Sequence, residues 1–160
     1  MIRILFTDVD GSLTDGKIII SSDGIETKNF SVKDGMGINK AKKLGIVVAI
    51  ITGRSSECVT IRASELQIDE VHQGVVDKVS KMDQILEKYG LSYEESAFFG
   101  DDINDIPSMQ KCRVSGSPSD AEKEVLDTVS FVSPRKGGEG AARDFIEHII
   151  KLNESNLGVK

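Results

Sequence analysis

Short apolar runs alternate with helical stripes along this chain, and several of the runs stop at an acidic or hydroxyl residue with a glycine beside it. Ile2 to Phe6 leads into Asp8, Asp10 and Gly11; Ile46 to Ile51 leads into Thr52, Gly53 and Arg54; Ala97 to Phe99 leads into Gly100, Asp101 and Asp102. Runs of this length with apolar residues on both alternate faces are strands buried on both sides, which requires helices above and below a mostly parallel sheet. The expected fold is therefore α/β, a doubly wound mostly parallel sheet with helices on both faces (Rossmann-like).

The helices between the runs are readable from caps and spacing. Asp34 is expected to cap a helix from Met36 to about Leu44, stopped by Gly45, and Ser56 to cap a second through Leu66. A short strand at Glu70 to His72 precedes a third helix, whose stripe of Val79, Met82, Ile85, Leu86 and Tyr89 ends before Gly90. Ile106, Met109 and Cys112 mark a short helix, Val114 and Phe131 with Val132 two short strands, and a last helix is expected from about Ala141 to Leu152. At 160 residues the whole of 1–160 is expected to be one domain with a loose tail at about 153–160. By size scaling such a chain buries roughly 70% of its unfolded surface and needs no metal merely to fold.

One segment stands outside the alternation. Between about 17 and 30, Lys17 to Ile20 and Ile25 to Phe30 flank the turn cluster Ser21, Ser22, Asp23, Gly24, which predicts a protruding β-hairpin after the first strand. Ile18, Ile19 and Ile20 place apolar groups on both of its faces, so the hairpin is expected to pack on something beyond its own sheet, such as another subunit.

A formal net charge of −6 argues against nucleic acid or an anionic membrane as partner. The longest apolar run, Leu44 to Ile51, falls short of the roughly 20 residues that span a bilayer. Cys58 and Cys112 lack metal-type spacing and suit a reducing compartment, so a cytoplasmic location is expected.

In a doubly wound sheet, ligands sit beyond the carboxyl ends of the strands. Asp8 and Asp10, Thr52, Gly53 and Arg54, Asp77 with Lys78, and Asp101, Asp102 and Asp105 are all expected on that rim. Several carboxylates so placed repel one another unless a cation lies among them, and an all-oxygen donor set without His or Cys favours Mg²⁺ over zinc. A carboxylate beside Mg²⁺ is a nucleophile toward phosphorus, which gives Asp8 an aspartyl-phosphate role. Asp10, two residues on, can protonate the leaving oxygen and then deprotonate the attacking water. The Thr52 hydroxyl and Lys78 ammonium are placed to stabilise charge on the phosphoryl oxygens. Lys78 sits at the positive end of a helix dipole, so a compensating anion is expected beside it. Each element has a plainer reading: an Asp-x-Asp alone is a common turn, and Asp105 could be a routine helix-start residue. The plain readings must explain four motifs separately, each at the end of a successive strand.

Asp8-Val9-Asp10-Gly11-Ser12-Leu13-Thr14-Asp15-Gly16, Thr52-Gly53-Arg54, Lys78 and Gly100-Asp101-Asp102-Ile103-Asn104-Asp105 resemble, in order, the four motifs of the haloacid dehalogenase superfamily of phosphatases. The hairpin, Asp34-Gly35-Met36-Gly37 and Gly137-Gly138-Glu139-Gly140-Ala141-Ala142-Arg143 resemble its small capless branch, which includes 3-deoxy-D-manno-octulosonate 8-phosphate phosphatases and sialic-acid-type 9-phosphate phosphatases.

The resemblance implies a Mg²⁺-dependent phosphomonoester hydrolase acting on a phosphorylated sugar acid. Asp8 is the implied nucleophile, Asp10 the acid/base and a backbone-carbonyl metal ligand, Thr52 and Lys78 the phosphate binders, and Asp101 a further metal ligand. Asp102 and Asp105 lie behind them. Gly53, Arg54, Arg62 and Arg143 are candidate substrate-binding residues, the three arginines having a plainer reading as solvated surface residues. Thr52-Gly53-Arg54 looks more like the eight-carbon enzymes than the nine-carbon ones. The branch forms homotetramers in which neighbours help close the site, so that Arg62 could reach a neighbour's substrate. Two other readings use the same residues: a non-catalytic assembly module like the domain fused to some cytidylyltransferases, and a phospho-receiver domain, which lacks a carboxyl like Asp10.

Overall fold

The computed structural model describes residues 1–156. Six strands form one sheet: β1 (Ile4–Thr7), β4 (Val47–Ile51), β5 (Glu70–His72), β6 (Ser96–Phe99), β7 (Val114–Ser117) and β8 (Phe131–Val132). Their order is β5-β4-β1-β6-β7-β8, and every pairing is parallel. The chain leaves β1 toward β4 and β5, then returns to β1's other side with β6, so the topological switch lies at the central strand.

Strand periodicity explains the layering. Ile4 and Phe6 of β1, Ala49 and Ile51 of β4 and Phe98 of β6 belong to a core beneath α3 (Lys78–Tyr89), α4 (Ile106–Lys111) and α5 (Lys123–Leu126). Leu5, Val48, Ile50, Ala97 and Phe99 face the opposite core, closed by α1 (Val32–Lys43), α2 (Glu57–Glu65) and α6 (Ala141–Asn156). Within that layer Phe99 stacks on Phe145 with ring centroids 5.4 Å apart, and the bare Gly116 gives Phe145 room against β7.

Three expectations are corrected. The first helix begins earlier and is capped by Ser31, whose side chain accepts from the Lys33 amide. Asp34 instead lies buried in that helix's first turn and accepts from the Arg143 amide, serving the N-terminus of α6. The last helix continues to Asn156 rather than loosening near Asn153, and Asn153 ties it down by exchanging hydrogen bonds with the Ile2 backbone. The rest of the expected tail, 157–160, falls outside the described residues. Finally, α5 is a four-residue helix that the sequence reading does not contain.

The hairpin is present but short: β2 (Ile19–Ile20) pairs antiparallel with β3 (Glu26–Thr27), with a further bridge between Thr14 and Phe30. Ile18, Ile19, Ile20 and Ile25 are all exposed on it, between 42% and 62%. Among the described residues no helix is long and apolar enough to cross a membrane.

Candidate active site

Register brings the candidate residues together. Thr7 of β1 lies level with Ile50 of β4 and Phe99 of β6, so the next residues of all three strands emerge at one rim. The Asp8 amide donates to the Phe99 carbonyl at 2.9 Å, which extends the ladder by one residue and fixes where the Asp8 side chain leaves the sheet. Asp8, Asp10, Thr52, Gly53, Arg54, Asp102 and Asn104 line a single open cleft there.

Beneath the cleft, Lys78 enters from the first residue of α3, whose N-cap is Asp77. Its Nζ lies 2.9 Å from Asp8 Oδ1 and 2.6 Å from Asp105 Oδ1, and its side chain is buried. These are the compensating anions that a cation at a helix N-terminus requires. Burial disfavours the ammonium, but Asp8 and Asp105 outweigh that and raise its pKa. Asp105, wholly buried, also accepts from the Asp101 and Asp102 amides and so shapes the loop after β6. It is both a capping residue and part of the charged cluster.

Asp101 is held from the first loop, where the Ser12 hydroxyl donates to Asp101 Oδ1 at 2.9 Å. Gly11 makes that approach possible: its φ of +86° is left-handed, and a Cβ there would overlap the Asp101 carboxylate. Carboxylate oxygens of Asp8, Asp101 and Asp105 all lie within 4.8 Å of one another. Burial, then the Asp105 charge, pushes Asp8 up to about 6 despite Lys78. Burial and the nearby Asp8 push Asp101 up to about 8. Clustered carboxylates with raised pKa values mark a place short of positive charge, and oxygen donors without His or Cys suit a hard dication such as Mg²⁺. The residues present fit that ion.

Other candidates are placed differently. The Asp10 side chain is not part of this carboxylate group; it lines the cleft and pairs with Lys28 of the hairpin at 2.5 Å. Asp102 is exposed and its carboxylate caps the 3-10 turn Ile103–Asp105 by accepting from the Ile103 amide. Arg54 lies on the cleft rim beside Glu26. Arg62 and Arg143 do not line the cleft: Arg62 pairs with Glu65 and sits over Phe30, and Arg143 pairs with Glu147. Lys28 is missing from the sequence expectations, and Ser12 and Asn104 stand there only as members of the quoted motifs, without a role. The signal for Lys28 was its two-residue spacing from Glu26 on an extended arm, which puts both charges on one side.

Residues 31–113 match the family model of haloacid dehalogenase-like hydrolases. The chain belongs to that family. The 3-deoxy-D-manno-octulosonate 8-phosphate phosphatase of Escherichia coli K12 is 38% identical over 158 residues, covering 96% of this chain and 84% of that protein. Its Yersinia pestis counterpart is 38% identical over 98% of this chain and 84% of its own length. Among solved structures, the Moraxella catarrhalis 3-deoxy-D-manno-octulosonate 8-phosphate phosphatase in complex with magnesium ion, phosphate ion and KDO matches with a TM-score of 0.92 at 36% identity, covering 99% of this chain and 91% of that one. The cobalt-bound deoxy-D-mannose-octulosonate 8-phosphate phosphatase of Haemophilus influenzae matches with a TM-score of 0.89 at 33% identity, over 94% and 88% of the two chains. The haloacid dehalogenase-like fold thus extends well beyond the residues that the family model covers.

Proposed function

We propose that this chain is a Mg²⁺-dependent phosphatase that hydrolyses 3-deoxy-D-manno-octulosonate 8-phosphate through an aspartyl-phosphate on Asp8, acting as one domain. The observation that carries the reading is the Asp8–Lys78–Asp105 contact beneath an open cleft, with Asp101 beside it. The names of the relatives supply the substrate.

Asp8, Asp101 and the main-chain carbonyl of Asp10 would hold Mg²⁺, which would neutralise the phosphate charge and polarise its oxygens. An Asp8 carboxylate oxygen attacks phosphorus while the bond from phosphorus to the sugar oxygen breaks. Asp10 gives its proton to that leaving oxygen. Lys78 keeps Asp8 oriented, and its ammonium with the Thr52 hydroxyl steadies the equatorial oxygens. In the second step water attacks the phosphorus of the aspartyl-phosphate, Asp10 takes the water's proton, and Asp8 is released with inorganic phosphate. Arg54 and Gly53, exposed at the rim, meet the sugar acid, the guanidinium pairing with its carboxylate.

The proposal extends to a cytoplasmic homotetramer. The exposed isoleucines of the hairpin support the assembly, and the two free thiols Cys58 and Cys112 support the compartment. In the assembly, Arg62 and Arg143 act on a neighbour's cleft.

The test is phosphate release with Mg²⁺ across eight- and nine-carbon 2-keto-3-deoxy sugar acid phosphates and simple phosphomonoesters. The highest kcat/KM is expected for the eight-carbon substrate. A preference for the nine-carbon acids, or no release from any acidic sugar phosphate, overturns the substrate assignment.

A further inference from the structure

Lys28 lies on the returning arm of the hairpin, where its backbone faces solvent while its side chain is only 1% exposed. The ammonium is 2.5 Å from Asp10 Oδ1 and 3.0 Å from Glu26 Oε1. Arg54 Nη2 meets the same Glu26 oxygen at 3.2 Å, and Arg54 Nε lies 3.8 Å from Asp10 Oδ2. Both oxygens of Asp10 therefore meet a cation from another part of the chain, Lys28 from the hairpin and Arg54 from the loop after β4.

Two physical points give this contact a role beyond stability. A buried ion pair is a weak stabiliser, since the desolvation of both charges offsets most of their attraction. An apolar pair would hold a hairpin at least as well. The second point concerns Asp10 itself, which stands in the turn formed at Gly11, two residues from Asp8. Left alone, its side chain can rotate among several positions, only one of which reaches the oxygen of a departing group. Productive proton transfer needs that position occupied before the chemistry begins.

We propose that Lys28 is a positioning residue for phosphoryl transfer: it holds Oδ1 of Asp10 over the cleft and leaves Oδ2 to carry the proton, which goes to the leaving oxygen and is regained from the attacking water, and so makes the seating of the hairpin a condition for protonating the leaving group. The inference rests on the reading of Asp10 as proton donor. The charged partners of Lys28 are Asp10 and Glu26, and not Asp8, Asp101 or Asp105. Its effect is confined to substrates whose leaving oxygen needs a proton.

The experiment uses the full chain with Mg²⁺ and compares Lys28→Met, Lys28→Arg, Asp10→Asn and the double variant Lys28→Met/Asp10→Asn. Single-turnover rates are read for 3-deoxy-D-manno-octulosonate 8-phosphate, a poor leaving group, and for p-nitrophenyl phosphate, whose nitrophenolate leaves without a proton. Lys28→Met is expected to slow the sugar phosphate about 10- to 100-fold, part of the range open to general acid catalysis, and nitrophenolate release less than about threefold. Substrate affinity should stay close to that of the parent, Lys28→Arg should recover most of the rate, and Lys28→Met should add nothing in the Asp10→Asn background. Equal slowing of both substrates, additivity with Asp10→Asn, or parent-like rates for Lys28→Met would each overturn the role of Lys28 while leaving Asp10 as the acid. A parent-like rate for Asp10→Asn on the sugar phosphate would instead remove the underlying reading of Asp10. Thermal melting verifies the fold of each variant, and Lys28→Gln replaces Lys28→Met if the latter does not fold.

Discussion

The Lys78 ammonium donates to Asp105 Oδ1 at 2.6 Å, with both side chains buried, and this contact joins the start of α3 to the loop after β6. Asp8 completes the group at 2.9 Å. Lys78→Met would leave two buried carboxylates without their cation, and removing one partner of a buried pair costs about 3–5 kcal/mol. We expect a loss of about 3 kcal/mol in denaturant unfolding together with loss of measurable turnover. Unchanged stability would mean that the pair is far more hydrated than its burial implies.

Dication binding is expected to show in stability as well as in activity. Mg²⁺ that binds the folded chain but not the unfolded one raises the melting temperature with concentration. Asp101→Ala should flatten that rise and abolish turnover, because it takes a donor from the cluster and strips the Ser12 hydroxyl of its acceptor. A full Mg²⁺-dependent rise in Asp101→Ala would place the ion elsewhere.

Asp34 gives a pH dependence whose sign can be worked out. Burial pushes its carboxyl up from 3.8 to about 6, against the opposing Arg143 amide bond. Its Oδ2 is buried without a partner, which suits a proton there. The folded chain therefore binds this proton more tightly than the unfolded one. The stability it contributes is full below about pH 4 and is lost as pH rises through 6. Across that window the parent should lose about 2 kcal/mol relative to Asp34→Asn, read as the difference between the two unfolding curves. Parallel curves would show that Asp34 does not titrate there.

The hairpin isoleucines are expected to govern assembly rather than folding. Ile18→Asp with Ile20→Asp changes side chains that are 54% and 62% exposed in the single chain, so the melting behaviour of the protomer should change little. The mass in solution, by light scattering, should fall below that of the parent. An unaltered mass would assign the apolar hairpin to some other partner.

The layered fold was readable because β1, β4 and β6 are apolar on both alternate faces, broken only by Thr7 at the end of β1 and Ser96 at the start of β6, which a sheet covered on both sides accommodates. Strand ends then located Asp8, Thr52 and Asp101 without knowledge of the topology. What the sequence left open depends on contacts between distant segments. Asp34 looks like a cap for its own helix, yet Ser31 fills that position and Asp34 serves α6, more than a hundred residues later in the chain. Lys28 reads as an ordinary hairpin charge until the fold turns it onto Asp10. Lys123–Leu126 is a single helical turn, too short to show any periodicity. Arg62 and Arg143 carry the charge a sugar acid needs, but local pairing with Glu65 and Glu147 decides where they point within one chain.

The covalent step offers the most direct test. Full-length protein mixed with Mg²⁺ and 3-deoxy-D-manno-octulosonate 8-phosphate, quenched in acid within one turnover and digested, should carry one phosphoryl group on the peptide containing Asp8. Asp8→Asn should fold, bind the sugar acid and acquire none. A phosphoryl group on any other residue, or rapid phosphate release by Asp8→Asn, would contradict the account.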